Sequence, residues 1–181
     1  MGTKPVLTFS HLGIWVTDLE PMKDFYTDVL GFVMTDRGPI GDTELVFLSQ
    51  SPGDHHQIVL AKGRPADVGF TTVNQISFKL DALETLQAMH AELVKRSVKE
   101  LVTVSHGNAW SAYFKDPEGN RIEMFVDTPW YTPQPCREPL DLTQPAEQIK
   151  KDTEAYCRSR PRFASDVDWR RELADKIASS R

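Results

Sequence analysis

The feature that most restricts the fold is an order of secondary-structure elements that occurs twice along the chain. The patterns of residues 7–62 predict a strand, a helix and three further strands, and those of residues 72–127 predict the same order again. At an offset of 64 residues, Ser-His-Leu-Gly-Ile at 10–14 matches Asn-Gln-Ile-Ser-Phe at 74–78. Two copies of one βαβββ module are the simplest explanation. We therefore predict an α+β fold in which the two modules form an open half-barrel cleft.

Both predicted helices begin at a capping-box pattern. Thr17 is followed three residues later by Glu20, and Asp81 is followed by Glu84 at the same spacing. Apolar residues then recur at helical spacing in both segments, and Gly31 is placed to end the first helix. These signals predict one helix covering each module.

The last two strands of the second module are joined by a strong turn signal, Asp-Pro-Glu-Gly at 116–119. Apolar residues alternate on either side of the turn and can face a hydrophobic layer: Ala112, Phe114, Ile122, Met124 and Val126. Tyr113 and Glu123 have the opposite phase. We therefore expect a phenol and an acid side by side on the non-core face of a hairpin.

The same alternation places polar residues at the first strand of each module. His11 and Trp15 have the phase opposite to the apolar residues Leu12, Ile14 and Val16. Gln75 is equivalent to His11 under the offset, and Gln57 precedes an apolar run as Glu123 does. We expect four polar side chains to converge on one cleft: His11, Gln57, Gln75 and Glu123.

Composition limits the class of protein. The 181 residues carry a net charge of −5, and no basic run stands out, which argues against a nucleic-acid surface. The sequence has no apolar run of membrane-spanning length. With Cys136 and Cys157 as its two cysteines, the chain has too few disulfide partners to cross-link the fold, so a reduced, cytoplasmic protein is the simplest interpretation.

The composition changes near residue 128. A Pro-rich connector follows, and helices are predicted over 146–158 and from Ser165, with Asp168 as its capping partner, to about residue 178. We predict a domain over 1–128 and a C-terminal extension over 129–181. The helices of this extension have narrow apolar stripes and are expected to pack on the outside of the core or on a partner subunit.

Two stretches carry a family resemblance: Ser-His-Leu-Gly-Ile-Trp-Val-Thr-Asp-Leu at 10–19 and Tyr-Phe-Lys-Asp-Pro-Glu-Gly-Asn-Arg-Ile-Glu-Met-Phe at 113–125. With the βαβββ order, they resemble the vicinal oxygen chelate superfamily of glyoxalases, fosfomycin and bleomycin resistance proteins, and type I extradiol dioxygenases. The resemblance covers residues 7–127. It implies a divalent metal held by residues on the first and last strands of the modules, here His11, Gln57, Gln75 and Glu123.

Further details are similar to the dioxygenase branch. His55-His56-Gln57 resembles a His-rich fourth strand, and His106, Tyr113 and Glu123 resemble the catalytic His, the catalytic Tyr and the metal-binding Glu in order. The resemblance implies ring cleavage of a catechol-like aromatic by a homodimer with Fe(II). Tyr113 would hydrogen-bond the chelated oxygen and His106 would move a proton. Trp15 and His55 are expected to contact substrate.

One departure from the dioxygenase pattern is Gln75, which stands where a second histidine ligand is expected. Glyoxalase-like members use Gln as a ligand, so an isomerase or lyase with Zn, Ni or Mn is an alternative. A metal-free binding protein similar to the bleomycin resistance members is another. In that case His11 and Glu123 form an ion pair. For His106, a loop histidine that only orders its turn is the alternative to a general acid or base.

Overall fold

The computed structural model describes residues 5–179, which form two compact units. The first unit contains residues 5–74 with the turn 116–120, and the second contains 75–115 and the chain from 121 onwards. Each holds one of the predicted modules, which confirms the α+β class. The predicted domain boundary at residue 128 stays a prediction, and its outer limits at 1 and 181 lie outside the described residues.

The first unit has a four-stranded sheet. In chain order its elements are β1 (Leu12–Val16), α1 (Leu19–Asp24) continued by a π-helical turn (Phe25–Val29), β2 (Val33–Ile40), β3 (Thr43–Ser49) and β4 (Ile58–Lys62). The strand order is β1-β4-β3-β2, with β1 parallel to β4. Ile14 and Val16 are buried with Met22 and Tyr26 of the helical segment. Strand β1 begins only at Leu12, five residues after the predicted start of the first module at residue 7.

The cap of α1 differs from the prediction. Asp18, not Thr17, is the N-cap, and its carboxylate accepts from the Glu20 backbone N–H at 3.2 Å. The backbone N–H groups of Thr17 and Asp18 both donate to Glu118 Oε1, at 2.7 and 2.9 Å. A side chain about a hundred residues away therefore accepts from the Thr17 N–H, the role that the capping-box pattern assigned to Glu20. Gly31 has φ +77° and ends the helical segment as predicted.

The second unit has a five-stranded sheet. Its module consists of β5 (Ile76–Lys79), α2 (Leu83–Lys95), β6 (Lys99–Ser105), β7 (Ala109–Lys115) and β8 (Arg121–Asp127). Strand β5 is parallel to β8, and the turn predicted at 116–119 joins β7 to β8. The N-cap of α2 is Ala82 without a side-chain bond, so the predicted cap by Asp81 is wrong. The Asp81 carboxylate instead accepts from Thr85 Oγ1 at 2.7 Å.

Strand register confirms the offset of 64 and corrects one equivalence. Leu12 pairs with Ile58 in the first unit, and Ile76 pairs with Ile122 in the second. The position equivalent to Glu123 is therefore Val59, which pairs with Gly13 as Glu123 pairs with Ser77. Gln57 lies two residues before Val59, which is one period of the strand, so its predicted equivalence to Glu123 is wrong. Only the second module carries an acid at this position.

The C-terminal extension belongs to the second unit. Its elements are β9 (Trp130–Tyr131), β10 (Glu138–Pro139), α3 (Ala146–Ser159), β11 (Ala164–Ser165) and α4 (Asp166–Ser179), and β10 completes the five-stranded sheet as β10-β6-β7-β8-β5. Helix α3 buries only Ile149, Thr153 and Cys157, so it packs on the rest of the unit by the narrow stripe that the sequence predicts. Trp110 Nε1 donates to Thr153 Oγ1 at 2.8 Å. Within residues 5–179, no helix combines the length and the apolar character needed to cross a bilayer.

Candidate functional site

The carboxylate of Glu123 is buried in the second unit. The residue is 7% exposed. Its Oε2 accepts from Gln75 Nε2 at 2.8 Å and from Ser77 Oγ at 2.5 Å, because β5 runs parallel to β8 and aligns Ser77 with Glu123. In the described part of the chain no Lys, Arg or His side chain lies within ion-pair distance of this carboxylate.

A buried carboxylate in such surroundings is costly unless it is paired or coordinates a metal. Two neutral donors on one oxygen offset only part of the lost hydration. The Nε2–H group of Gln75 donates to Glu123 Oε2, which fixes the position of both side chains. A cation bound by Glu123 would supply the missing counter-charge, and the Gln75 amide lies next to it.

His106 and Tyr113 form the second part of the site. His106 follows β6, and its Nε2 lies 2.9 Å from the Tyr113 hydroxyl. His106 Nδ1 lies 2.7 Å from the carbonyl oxygen of Cys136. A carbonyl oxygen only accepts, so Nδ1 carries a proton, and Nε2 of the neutral ring accepts from the phenol. The structure thus brings together the two residues predicted to be catalytic.

Tyr113 also lies next to Glu123, since the two residues are directly paired across β7 and β8. Burial raises the pKa of the Tyr113 phenol to about 12, and the hydrogen bond to Glu123 and the charge of its carboxylate act in the same direction. The phenol has one proton and two neighbouring acceptors, the imidazole and the carboxylate. The neutral Tyr113 phenol can therefore donate its one hydrogen bond either to the imidazole or to the carboxylate.

We expect the Glu123→Gln variant to lower the pKa of Tyr113 below its value of about 12, yet leave it above the ordinary 10.0, because burial is the largest cause of the shift. In the wild type the raised pKa adds stability that is complete below pH 10.0 and is lost as the pH rises toward 12. Ultraviolet difference absorbance, with Tyr113→Phe subtracted, measures the ionisation. An unchanged pKa in Glu123→Gln would show that the two groups do not interact.

The segment that holds His106 comes from the C-terminal extension, which sequence reasoning did not connect with the site. Gln134 Nε2 donates to the His106 carbonyl oxygen at 2.8 Å and to Asn108 Oδ1 at 3.0 Å. Gln134 Oε1 accepts from the Cys136 backbone N–H at 3.0 Å. These bonds keep the Cys136 carbonyl in place beside His106.

Gly107, next to His106, packs too closely for any side chain. Its φ is +73°, and an added Cβ would lie 2.3 Å from Thr132 Cγ2 and 3.2 Å from Cys157 Sγ. We expect Gly107→Ala to lower the free energy of unfolding by about 3 kcal/mol, the sum of left-handed strain and overpacking. Gly119→Ala is the matched control, because Gly119 has φ +82° and open space around it. Equal losses in denaturant unfolding of the two variants would contradict a steric role for Gly107.

Residues of the candidate site line two cavities of the second unit. One of about 710 Å³ is lined by Gln75, His106 and Tyr113. Another of about 290 Å³ is lined by Ser77, His106 and Glu123. A cleft of several hundred Å³ with a few polar groups is the usual form of a small-molecule site. The His106, Tyr113 and Glu123 group is therefore open to a ligand.

The histidines of the first unit form a separate group. The rings of His11 and His56 are 4.4 Å apart, and His55 Nδ1 lies 2.9 Å from His56 Nδ1. His55 Nε2 lies 3.0 Å from Asp36 Oδ2. Burial, followed by the charges of His11 and His55, lowers the pKa of His56, which is half-buried. His55 is thus held by Asp36, and its predicted contact with substrate stays a prediction.

Gln57 and Trp15 have local roles in the first unit. Gln57 Oε1 accepts from the Gln50 backbone N–H at 2.9 Å, so its amide supports the loop before β4. Trp15 is 60% exposed, packs on Gly63 and lines a cavity of about 430 Å³ with Phe70. Trp15 does have the predicted phase away from the core.

Among residues 5–179, no group of three or more His, Cys, Asp or Glu side chains is arranged to hold a metal ion. The predicted ligand set contains one histidine, one carboxylate and two amides, so it is not a group of this kind. His11 and Gln57 belong to the first unit, and Gln75 and Glu123 belong to the second.

Comparison with known proteins places the chain in a family. A model of the glyoxalase/bleomycin resistance protein/dioxygenase superfamily matches residues 8–124. Biphenyl-2,3-diol 1,2-dioxygenase 2 of Rhodococcus globerulus is 25% identical over 123 residues, a match that covers 66% of this chain and 62% of the relative. The chain thus matches about three fifths of the length of this curated relative.

Solved structures agree on the fold. A glyoxylase/bleomycin resistance protein/dioxygenase domain from Frankia sp. EAN1pec has a TM-score of 0.60 at 21% identity, covering 68% of this chain and 94% of that one. A fosfomycin resistance protein variant from Listeria monocytogenes, complexed with Mn(II), has a TM-score of 0.55 at 17% identity, with coverages of 68% and 95%. The family match spans well over half of the chain and falls on both modules. The chain therefore belongs to the glyoxalase/bleomycin resistance protein/dioxygenase superfamily.

Proposed function

We propose that the chain is a metal-dependent enzyme that opens the ring of a catechol-like aromatic, as an extradiol-type dioxygenase does. The observation that carries the proposal is the arrangement of Glu123, Tyr113 and His106 beside an open cleft. It combines a buried anionic ligand, a neutral phenol and an imidazole with a fixed tautomer. The name of the Rhodococcus relative, a diol dioxygenase, supports the same reaction class.

Glu123, with Gln75 beside it, would hold the divalent metal, for which Fe(II) is favoured. When bound, the metal supplies Lewis acidity toward two adjacent substrate oxygens. Ser77 fixes the Glu123 carboxylate by donating to Oε2. The predicted contributions of His11 and Gln57 to metal binding stay predictions.

Tyr113 orients the substrate. Its pKa of about 12 keeps the phenol protonated at neutral pH, so it can donate a hydrogen bond to a substrate oxygen in the cleft. His106 accepts a proton at Nε2, because Nδ1 is occupied by the Cys136 carbonyl. The pair can therefore take a proton from a diol hydroxyl and return it to the product.

A second candidate reaction uses the same residues. Gln75 stands where a second histidine ligand would favour Fe(II), whereas the glyoxalase-like members that this sequence resembles use Gln as a metal ligand. This observation favours a glyoxalase-like isomerase or lyase with Zn, Ni or Mn. Elemental analysis of protein isolated without added ions distinguishes the two, since iron supports ring cleavage and zinc, nickel or manganese supports the second candidate.

Ring cleavage itself is the test of the proposal. Protein loaded with Fe(II) without oxygen is mixed with aerated solutions of a panel of catechols, and ring opening is followed by product absorbance and oxygen uptake. The proposal expects stoichiometric oxygen consumption with at least one catechol. Bound iron without oxygen uptake on any of them would contradict it. The expected homodimer and cytoplasmic location are also proposals.

A further inference from the structure

The large cleft of the second unit carries an excess of positive charge. Lys115, Arg121 and Arg137 line it, and Glu100 is the acid among its lining residues. The whole chain has a net charge of −5, so the cleft is positive in a protein that is negative overall. A cleft lined by one sign of charge concentrates ligands of the opposite sign. The cleft therefore favours an anionic ligand.

Two of these cations lack a partner within the described chain. The arginines at positions 37, 64, 96, 158, 170 and 171 have a carboxylate at ion-pair distance, and among residues 5–179 Arg160 and Arg162 do not. Neither Arg121 nor Arg137 has such a partner among residues 5–179. An unpaired guanidinium presents a planar fork of N–H donors that matches the two oxygens of a carboxylate.

Both side chains lie close to the reacting groups. Arg121 is two residues before Glu123 on β8 and shares its strand phase, about 7 Å further along the strand. Arg137 follows Cys136, whose carbonyl holds His106. The positive charge of Arg137 acts on the Tyr113 hydroxyl and opposes the rise of its pKa. Both arginines line the same cavity as His106 and Tyr113, so one ligand in this cavity can reach all four residues.

We propose that Arg121 and Arg137 bind a carboxylate group of the substrate, on an arm that points away from the diol. The inference rests on the proposed function for the nature of the ring. Arg137 lies beyond residues 8–124, which the family model matches, so the C-terminal extension selects the substrate. Through Cys136 and Arg137 the same segment both positions His106 and sets specificity.

The test compares a catechol that carries an acetate arm with its methyl ester. Dissociation constants are measured by calorimetry without oxygen for the wild type, Arg121→Ala, Arg137→Ala and the double variant. The wild type is expected to bind the acid about tenfold more tightly than the ester, in line with a charge-assisted hydrogen bond. Each single variant loses part of this preference, and the double variant binds both compounds equally.

Arg171→Ala is the matched control, because it removes the same charge from α4 and breaks only a surface pair with Asp168. It is expected to keep the wild-type preference. Equal binding of acid and ester by the wild type overturns the inference, as does a preference that survives in the double variant or no binding of either compound. An Arg-dependent preference without ring cleavage would contradict the proposed reaction and leave the anion site standing. Cleavage of both compounds, bound with equal affinity, would contradict the anion site and leave the proposed reaction standing.

Discussion

The Glu123→Gln variant is expected to lose its metal-dependent activity and keep its fold. Replacing a partner of a metal ligand commonly lowers metal affinity by about 10–100-fold, so losing the ligand itself is expected to cost at least about 100-fold. The glutamine is isosteric and can still accept from Ser77 and Gln75. It also removes a buried charge that has no cation beside it in the described chain. We therefore expect an unchanged or higher melting temperature without added metal.

This combination separates a functional from a structural role. The kcat/KM of metal-loaded protein and the thermal unfolding of metal-free protein are measured on the same samples. Glu100→Gln is the control, since Glu100 lines the cavity of about 710 Å³, whereas Glu123 lines the one of about 290 Å³ and is the carboxylate that accepts from Ser77 and Gln75. Activity that persists in Glu123→Gln, or a marked loss of stability without metal, would contradict the account.

The His106→Ala variant is expected to lower kcat by about 10²–10⁴-fold, the usual contribution of a positioned general acid or base. Metal affinity is expected to stay unchanged, because His106 contacts Tyr113 and the Cys136 carbonyl and not Glu123. Added imidazole is expected to restore part of the rate, since the truncated side chain leaves space between two open cavities.

The rescue by imidazole distinguishes proton transfer from loop ordering. His90→Ala is a suitable control, since His90 lies on α2 and lines neither cavity of the site. A kcat that is unchanged in His106→Ala would remove His106 from the mechanism. A loss that imidazole does not restore, together with a lower melting temperature, would indicate that His106 only orders its loop.

The repeated module could be predicted from sequence because it depends on short-range periodicity. A strand alternates its faces with a period of two, so the phases of Tyr113 and Glu123 followed from their apolar neighbours. The same logic matched His11 with Gln75, and the strand register confirms that offset. It failed for Gln57, because an apolar run permits two alignments, and only hydrogen-bonded register shows that Val59 is the equivalent of Glu123.

The misplaced caps and the missing part of the site have a different cause. Thr17 fits a local capping pattern, but Glu118 accepts from its backbone N–H across a hundred residues of sequence. The tautomer of His106 depends on the main-chain carbonyl of Cys136, which any residue type would present. Gln134 is a neutral residue in a Pro-rich connector. Neither the Cys136 carbonyl nor Gln134 has a sequence signature that links it to the hairpin of β7 and β8.

Anaerobic Fe(II) titration of the wild type, Glu123→Gln and Glu100→Gln by calorimetry tests whether the buried Glu123 carboxylate is a metal ligand. We expect one ion per chain in the wild type and in Glu100→Gln, and no saturable binding in Glu123→Gln at the same concentrations. Binding by Glu123→Gln with the affinity and stoichiometry of the wild type would contradict it.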